Sequence, residues 1–322
     1  ITRQWIIKHN ISTFKIDGVY NEKGILRHLM IRSSKDLSEI MVVLVSQCRN
    51  IPYIAEYIDE LKMKIKGLNE EKIKQISKFK GEDNKTLNYR LNCYKLFKET
   101  PLPKFGPTIN LDFDNINYYQ TREDNLTDNW NNITNDTKDE LTSLGVISSE
   151  KYLDGIGVQY QSEVIYHNML KELEEKKVIF TSIENAFINH RDLIDKYFSK
   201  IVKPNENKFT ALNGAVFSGG SFIYIPPNTK LNRPLQSYFR ISSKDLGQFE
   251  RTLIIVDDNS SLHYVEGCTA KSYSTSNLHA AVVEIYVGKN STCRYSTIQN
   301  WATNVYNLVT KRALVEENGT ME

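Results

Sequence analysis

The side chains best suited to reactive chemistry gather in Tyr264-Val265-Glu266-Gly267-Cys268-Thr269-Ala270. In an extended strand alternate side chains share a face, so Glu266 and Cys268 point one way while His263, Val265 and Gly267 point the other. That alternation opposes a metal site built from His263, Glu266 and Cys268 together, and instead sets a thiol beside a carboxylate. A thiol is nucleophilic as thiolate, and a neighbouring carboxylate raises its pKa. A cation is therefore needed close by, and Arg240, Lys271 and Lys311 are the candidates. Against this stands the plainer reading that an isolated strand cysteine is a buried packing residue.

The other reactive side chains read as structural. Cys293 occupies a repeat position filled elsewhere by Leu231, Leu262 and Met321, an apolar slot, and Cys48 and Cys93 lie in apolar-patterned segments. The four cysteines form no CxxC pair, which is neither a disulfide framework nor a zinc pattern and fits a reducing cytosol. His279, in Leu278-His279-Ala280-Ala281, reads as a satisfied structural histidine. Trp301 ends a strand and suits either core or channel lining. Gly219-Gly220 precedes no helix, which excludes a phosphate loop.

The elements that must position Cys268 are announced by a repeat. Ile225-Pro226-Pro227-Asn228-Thr229-Lys230-Leu231, Val256-Asp257-Asp258-Asn259-Ser260-Ser261-Leu262, Val287-Gly288-Lys289-Asn290-Ser291-Thr292-Cys293 and Val315-Glu316-Glu317-Asn318-Gly319-Thr320-Met321 follow one pattern at steps of 31, 31 and 28 residues. A recurrence of that length marks a solenoid, whose units bury their apolar faces only by stacking. The flanks are short, rich in β-branched and aromatic residues and bounded by Asn, Asp and Gly, so the units are strands. Strand spacing alone also allows an antiparallel sandwich, but the recurrent Asn favours a β-solenoid. Its 31-residue step predicts Gln299 on the coil beside Cys268.

Ahead of the repeat the text has two other characters. In residues 1–62, Gly24–Arg32 and Ile40–Val45 read as a β-hairpin, with a helix after Pro52. Leu26-Arg27-His28 followed by Glu39-Ile40-Met41-Val42-Val43-Leu44-Val45 resembles the central segment of RNA uracil-5-methyltransferases. The parts of that family that bind S-adenosylmethionine and supply its catalytic cysteine are not matched, so the resemblance does not imply methyltransfer. Residues 63–203 read as helical: one helix capped by Asn69, a second at Tyr89–Phe97 ending before Pro101, a polar loop over 115–139, helix again over Gln161–Lys177, and a helical pair over Ile183–Lys200. Residues 204–322 read as the solenoid.

Length, 40% apolar content and a net charge of +2 allow a sizeable core and more than one domain, and speak against a dedicated nucleic-acid surface. The longest apolar run, Ile40–Val45, is strand-sized, so no membrane span is expected. The opening Ile1-Thr2-Arg3-Gln4-Trp5 has no initiator Met or signal region, and reads as a fragment of a cytoplasmic protein.

Several longer motifs then add a resemblance. Ser218-Gly219-Gly220-Ser221-Phe222-Ile223-Tyr224-Ile225-Pro226, Tyr238-Phe239-Arg240-Ile241, Gly247-Gln248-Phe249-Glu250-Arg251-Thr252, the stretch Tyr264–Ala270, Ser296-Thr297-Ile298-Gln299-Asn300-Trp301 and Val309-Thr310-Lys311-Arg312 stand in the order found in the SufB family. These are scaffold subunits of the SUF iron–sulfur cluster assembly system, and the match runs from about Lys66 to Glu322. The resemblance implies an α+β chain, with an N-terminal helical region followed by a right-handed parallel β-helix that is incomplete at its C-terminal end. It implies a scaffold rather than an enzyme, working with SufD-like and SufC-like subunits, a cysteine desulfurase and a sulfur-relay protein, and with neither nucleic acid nor membrane. A transient iron–sulfur cluster and reduced flavin are the implied cofactors.

Residue by residue, Cys268 matches the family's sulfur acceptor and is a candidate cluster ligand. Arg240, Gln299, Trp301 and Lys311 match residues of the sulfur path, and Glu266 keeps the motif beside the thiol. Ser242 stands where the family usually has Asn. The family's later coils, its remaining ligand candidates and its SufC-docking helices would lie past Glu322, so an open solenoid end is expected to make the chain unstable or prone to association. The alternative is an inactive fragment or a β-solenoid interaction module without sulfur transfer.

Overall fold

The computed structural model describes residues 2–16, 19–20, 24–33, 40–61, 64–104, 106, 108–120, 127–133, 135–143, 146, 150–241, 246–270 and 277–322. They fall into two units, Ile1–Met63 and Lys64–Glu322.

In the first unit the helix Thr2–Lys8 buries Trp5 in a small core with Ile11, Leu26 and Tyr57. The Trp5 ring lies 4.6 Å from that of Tyr57, and its Nε1 donates to the Tyr53 carbonyl at 3.1 Å. Leu26–Ser33 and Ile40–Ser46 pair antiparallel with a bulge between Leu26 and His28, and the helix after Pro52 runs Ile54–Leu61. The expected hairpin turn, 34–39, lies outside the described residues. Cys48 is not the core residue its apolar context suggested: it follows the end of its strand, half-buried, with Sγ donating to the Asn50 carbonyl at 3.0 Å.

In the second unit three stacks of parallel strands grow together. Ser221–Ile225, Arg251–Val256, Val282–Val287 and Thr310–Val315 form one; Gly155–Tyr160, Leu235–Ile241, Ser261–Ala270, Thr292–Asn300 and Thr320–Met321 form another; Gly247–Gln248, Asn277–His279 and Val305–Asn307 form a third. Each pass of the chain adds one strand to each stack, and the register Phe222–Leu253–Glu284–Arg312 carries the 31, 31 and 28 steps. The recurrent turn has a physical cause: Asn228, Asn259, Asn290 and Asn318 all adopt left-handed φ of 54–59°, a conformation that Asn tolerates better than most residues. Their amides bridge successive turns, Asn290 Nδ2 to Asn259 Oδ1 at 3.4 Å and Asn318 Nδ2 to Asn290 Oδ1 at 3.3 Å. Between the first two stacks Ile223, Ile254, Val283, Ile285, Leu262 and Tyr264 close an apolar core. Cys293 packs in it beside Leu262 and Met321, and burial pushes its thiol up to about 12.

Three helices cover one side of this unit. Glu70–Phe79 is capped by Asn69, whose side chain accepts from the Lys72 amide at 2.9 Å. Asn84–Glu99 is longer than the expected Tyr89–Phe97 because Asp83 caps it a turn earlier. Lys208–Val216 opens on a capping box at Asn207. A Cβ on Gly214 would come within 2.6 Å of Cys93 Sγ, so glycine there lets this helix lie against Asn84–Glu99.

Several expectations fail, two of them through strand pairing. Residues 63–203 are not simply helical, and Gln161–Lys177 is no helix: Glu163–Met169 pairs antiparallel with Gly155–Tyr160, leaving only Lys171–Glu175 helical. The run Val164-Ile165-Tyr166 suits a strand, and an available edge outweighs the propensity of the flanking charges. The polar stretch 115–139 is not one loop, because Asn117–Gln120 pairs with Lys64–Lys66 and Asn135–Ser143 is helical. Residues 204–322 begin with the helix Lys208–Val216 rather than with strands. The second unit is a mixed α/β arrangement of parallel sheets and helices. Among the described residues no helix is long and apolar enough to cross a membrane.

Candidate functional site

Cys268 lies on Ser261–Ala270, and the inward face of that strand carries Leu262, Tyr264, Glu266 and Cys268 in alternation. The thiol is 0% exposed and Glu266 2% exposed, whereas His263 and Val265 face outward and are half-buried. Cys268 Sγ lies 3.6 Å from Glu266 Oε1. Lys311 reaches the same oxygen from the other side of the core. Its strand, Thr310–Val315, sets it in register with the buried Val283, so its side chain crosses between stacks. There Nζ donates to Glu266 Oε1 at 2.9 Å and to Tyr295 Oη at 2.6 Å, and sits 4.7 Å from the Tyr295 ring centroid. Glu266 Oε2 is buried, with no hydrogen-bond partner among the described residues.

These neighbours hold the thiol in its protonated form. Burial pushes the Cys268 pKa well above its ordinary value, Glu266 and then Glu250 add to it, and Lys311 is the cation that opposes them. Of the two expected cations that are described, Lys311 is the one that acts on the thiol. Arg240 pairs in register with Thr269, not Cys268, and its Nη1 donates to Thr269 Oγ1 at 2.8 Å on the outward face. Lys271 and Ser242 lie outside the described residues.

Gln299 is the register partner of Cys268, as the repeat arithmetic required. Its side chain is exposed and belongs to a second chain of contacts. Gln299 Oε1 accepts from Asn307 Nδ2 at 2.9 Å and from Trp301 Nε1 at 3.3 Å. Asn307 Oδ1 meets His279 Nδ1 at 2.7 Å, His279 Nε2 meets Glu250, and the Trp301 ring lies 4.5 Å from the imidazole. Burial works against the His279 cation, but Glu250 overrides it and Asn307 helps, so the imidazole pKa is raised. Both ring nitrogens then donate, one to a carboxylate and one to an amide oxygen. His279 is satisfied, as read from sequence, but within the surroundings of Cys268. Sequence reasoning misses Glu250, Asn307 and Tyr295 as members of this site. Their signal is a charged or polar residue at an inward position of a repeat, visible only once the register is known.

The residues present can hold a sulfur on Cys268, pass a proton between thiol and carboxylate, and hold a cation beside both. Among the described residues, Cys268, Glu266 and His279 are closed from solvent and offer no open face to the implied reduced flavin. Among the described residues no group of three or more His, Cys, Asp or Glu side chains is arranged to hold a metal ion.

Comparison with known proteins gives the family of the chain. Residues 158–237 match the family model described as SufBD protein N-terminal region, and residues 239–322 match that of the SUF system FeS cluster assembly, SufBD core domain. The iron–sulfur cluster assembly SufBD family protein of Staphylococcus saprophyticus is 53% identical over 259 residues, which is 80% of this chain and 56% of that protein. Its namesakes in Staphylococcus epidermidis and Staphylococcus aureus are 52% identical over the same shares. The chain thus spans little more than half the length of these relatives. With both family models matched in order and about half of the aligned residues identical, the chain belongs to the SufBD family of iron–sulfur cluster assembly proteins.

Proposed function

We propose that this chain is a SufB-type scaffold that accepts persulfide sulfur on Cys268 inside a right-handed parallel β-helix and passes it to a nascent iron–sulfur cluster. The observation that carries the reading is the inward thiol hydrogen-bonded to Glu266, with Lys311 on the same carboxylate oxygen and Gln299 in register beside it. The three parallel stacks, extended by one strand each per pass, support the β-helix in this reading. In the transfer step the Cys268 sulfur attacks the outer sulfur of a donor persulfide, a new S–S bond forms, the donor's own S–S bond breaks, and the donor leaves as a thiolate. The proton given up by Cys268 passes to Glu266 and is returned to the departing thiolate, so the exchange is redox-neutral. Sulfur and iron are cargo here, and the chain has no turnover of its own. SufD-like and SufC-like subunits, a cysteine desulfurase and a sulfur-relay protein are the partners of this reading, and the cytoplasm its compartment. Residues 63–203 would be the N-terminal region, 204–322 the first part of the core, and Arg240 and Trp301 would flank the sulfur path. The reading rests on residues 64–322.

The test is transfer of radiolabelled sulfur from a desulfurase and relay protein to the chain. Labelling is expected on Cys268 and lost in Cys268→Ser; equal labelling of both would refute the role. The competing reading is an interaction module without sulfur transfer. It draws on the exposed apolar residues of the last strands, Ile298 at 64% and Leu314 at 48%, and predicts partner capture with no thiol label.

A further inference from the structure

We propose that Tyr295 is a positioning residue for sulfur acceptance: its hydroxyl, together with Glu266, pins the Lys311 ammonium inside the core next to Cys268. The inference rests on the sulfur-acceptor reading of Cys268 and deepens it.

Lysine is long, flexible and strongly hydrated, and without fixed partners its head group goes to water. The Lys311 side chain is 26% exposed, so water is within its reach. Two contacts hold it inward, Glu266 Oε1 at 2.9 Å and Tyr295 Oη at 2.6 Å, with the ring face beneath it. They come from different strands: Glu266 from Ser261–Ala270 and Tyr295 from Thr292–Asn300, where it is in register with the fully buried Tyr264. Tyr264 is fixed in turn through its hydroxyl on Ser221 at 3.2 Å, and its ring lies 5.7 Å from that of Tyr295. Tyr295 is thereby an acceptor of set position. Burial, followed by Glu266, pushes its phenol up, so it remains neutral and offers its oxygen to Lys311.

A fixed cation at this point acts on the transfer itself. The attack builds negative charge on the Cys268 sulfur and then on the departing donor sulfur, at a thiol closed from water. A preorganised positive charge lowers the energy of that state without having to reorganise as charge develops. The effect proposed for Tyr295 is the one it exerts through Lys311, its hydrogen-bond partner.

The experiment is a double-mutant cycle on the 322-residue chain, with the persulfidated relay protein as donor and radiolabel on Cys268 as readout. In Tyr295→Phe the transfer rate at saturating donor is expected to fall by about tenfold, the usual worth of one hydrogen bond to a charged group. The donor concentration giving half-maximal rate should not change. In a Lys311→Met background the same substitution should change the rate by less than about twofold, because no cation is left to position. A purely structural role would give equal losses in both backgrounds, or move half-saturation, and either result overturns the proposal; so does a wild-type rate in Tyr295→Phe. Should Tyr295→Phe lose its cooperative melt, Lys311→Met with the tyrosine in place must show the loss, and a wild-type rate there overturns it equally. Failure of the Cys268 reading appears separately, as undiminished label in Cys268→Ser.

Discussion

Replacing Glu284 by Gln tests how much of the fold hangs on one buried carboxylate. Glu284 is fully buried and accepts four hydrogen bonds: from the amides of Ile201 and Val202 at 3.0 Å each, from the Ser199 amide at 2.8 Å and from Arg251 Nη2 at 2.5 Å. Arg251 is itself buried, with Nη1 on Asn213 Oδ1 at 3.3 Å and its guanidinium 4.6 Å from the Phe198 ring centroid. Glutamine keeps the shape but offers one acceptor oxygen and a donor group. One pair of N–H groups must then face another donor, and the Arg251 charge loses its counterion. Breaking a buried ion pair from one side costs about 3–5 kcal/mol, and each buried donor left unsatisfied adds about 1–3 kcal/mol. A loss of about 5 kcal/mol is therefore the expected scale, or roughly 10–20 °C in melting temperature for a unit of this size. Thermal melts of wild type, Glu284→Gln and the double variant Glu284→Gln with Arg251→Met check it. The double variant should recover part of the loss, since the orphaned charge is gone. A shift under about 3 °C in the single variant, or a double variant no better than the single, would refute the reasoning.

Other outcomes follow from the same structure. Gly220 has φ of +109°, and a Cβ there would lie 2.2 Å from the Arg251 carbonyl oxygen, so Gly220→Ala should leave the chain insoluble, read as loss of soluble expression. Asn259→Ala should cost about 1–2 kcal/mol for its left-handed backbone, while Asn259→Gly should cost less in the same urea titration. Stability should fall in alkali. Burial raises Cys93 to about 11, with Tyr89, Arg251 and Arg90 opposing it, and raises Cys293 to about 12. Above about pH 9 the unfolded chain releases thiol protons that the folded chain keeps, at about 1.4 kcal/mol for each tenfold difference in a thiol's proton affinity. Cys93→Ala and Cys293→Ala should flatten that limb in melts taken from about pH 8 to about pH 11. The raised His279 contributes stability that is complete below the ordinary histidine pKa and fades as pH rises through the folded one. His279→Gln should therefore cost more near about pH 6 than near about pH 9 in the same melts.

What depends on near neighbours was legible in the order of residues alone. The recurrent Asn fixed a left-handed turn, the turn fixed the phase of the strands, and period-2 alternation then put Glu266 and Cys268 on one face with Gln299 alongside. Cys293 could be read as packing because its repeat position named its neighbours. Which residues meet across the core was settled by the folded arrangement. Phe239 is the register partner of Cys268, so Arg240, one position on, pairs with Thr269 and falls on the opposite face from the thiol. Lys311 comes to Glu266 from a different stack, and Glu250 meets His279 across another corner. Likewise Glu163–Met169 became a strand because an edge was there to receive it. Local backbone preference is set by each residue and its neighbours in sequence, whereas a contact between stacks depends on how every intervening turn adds up, which no single stretch of sequence contains.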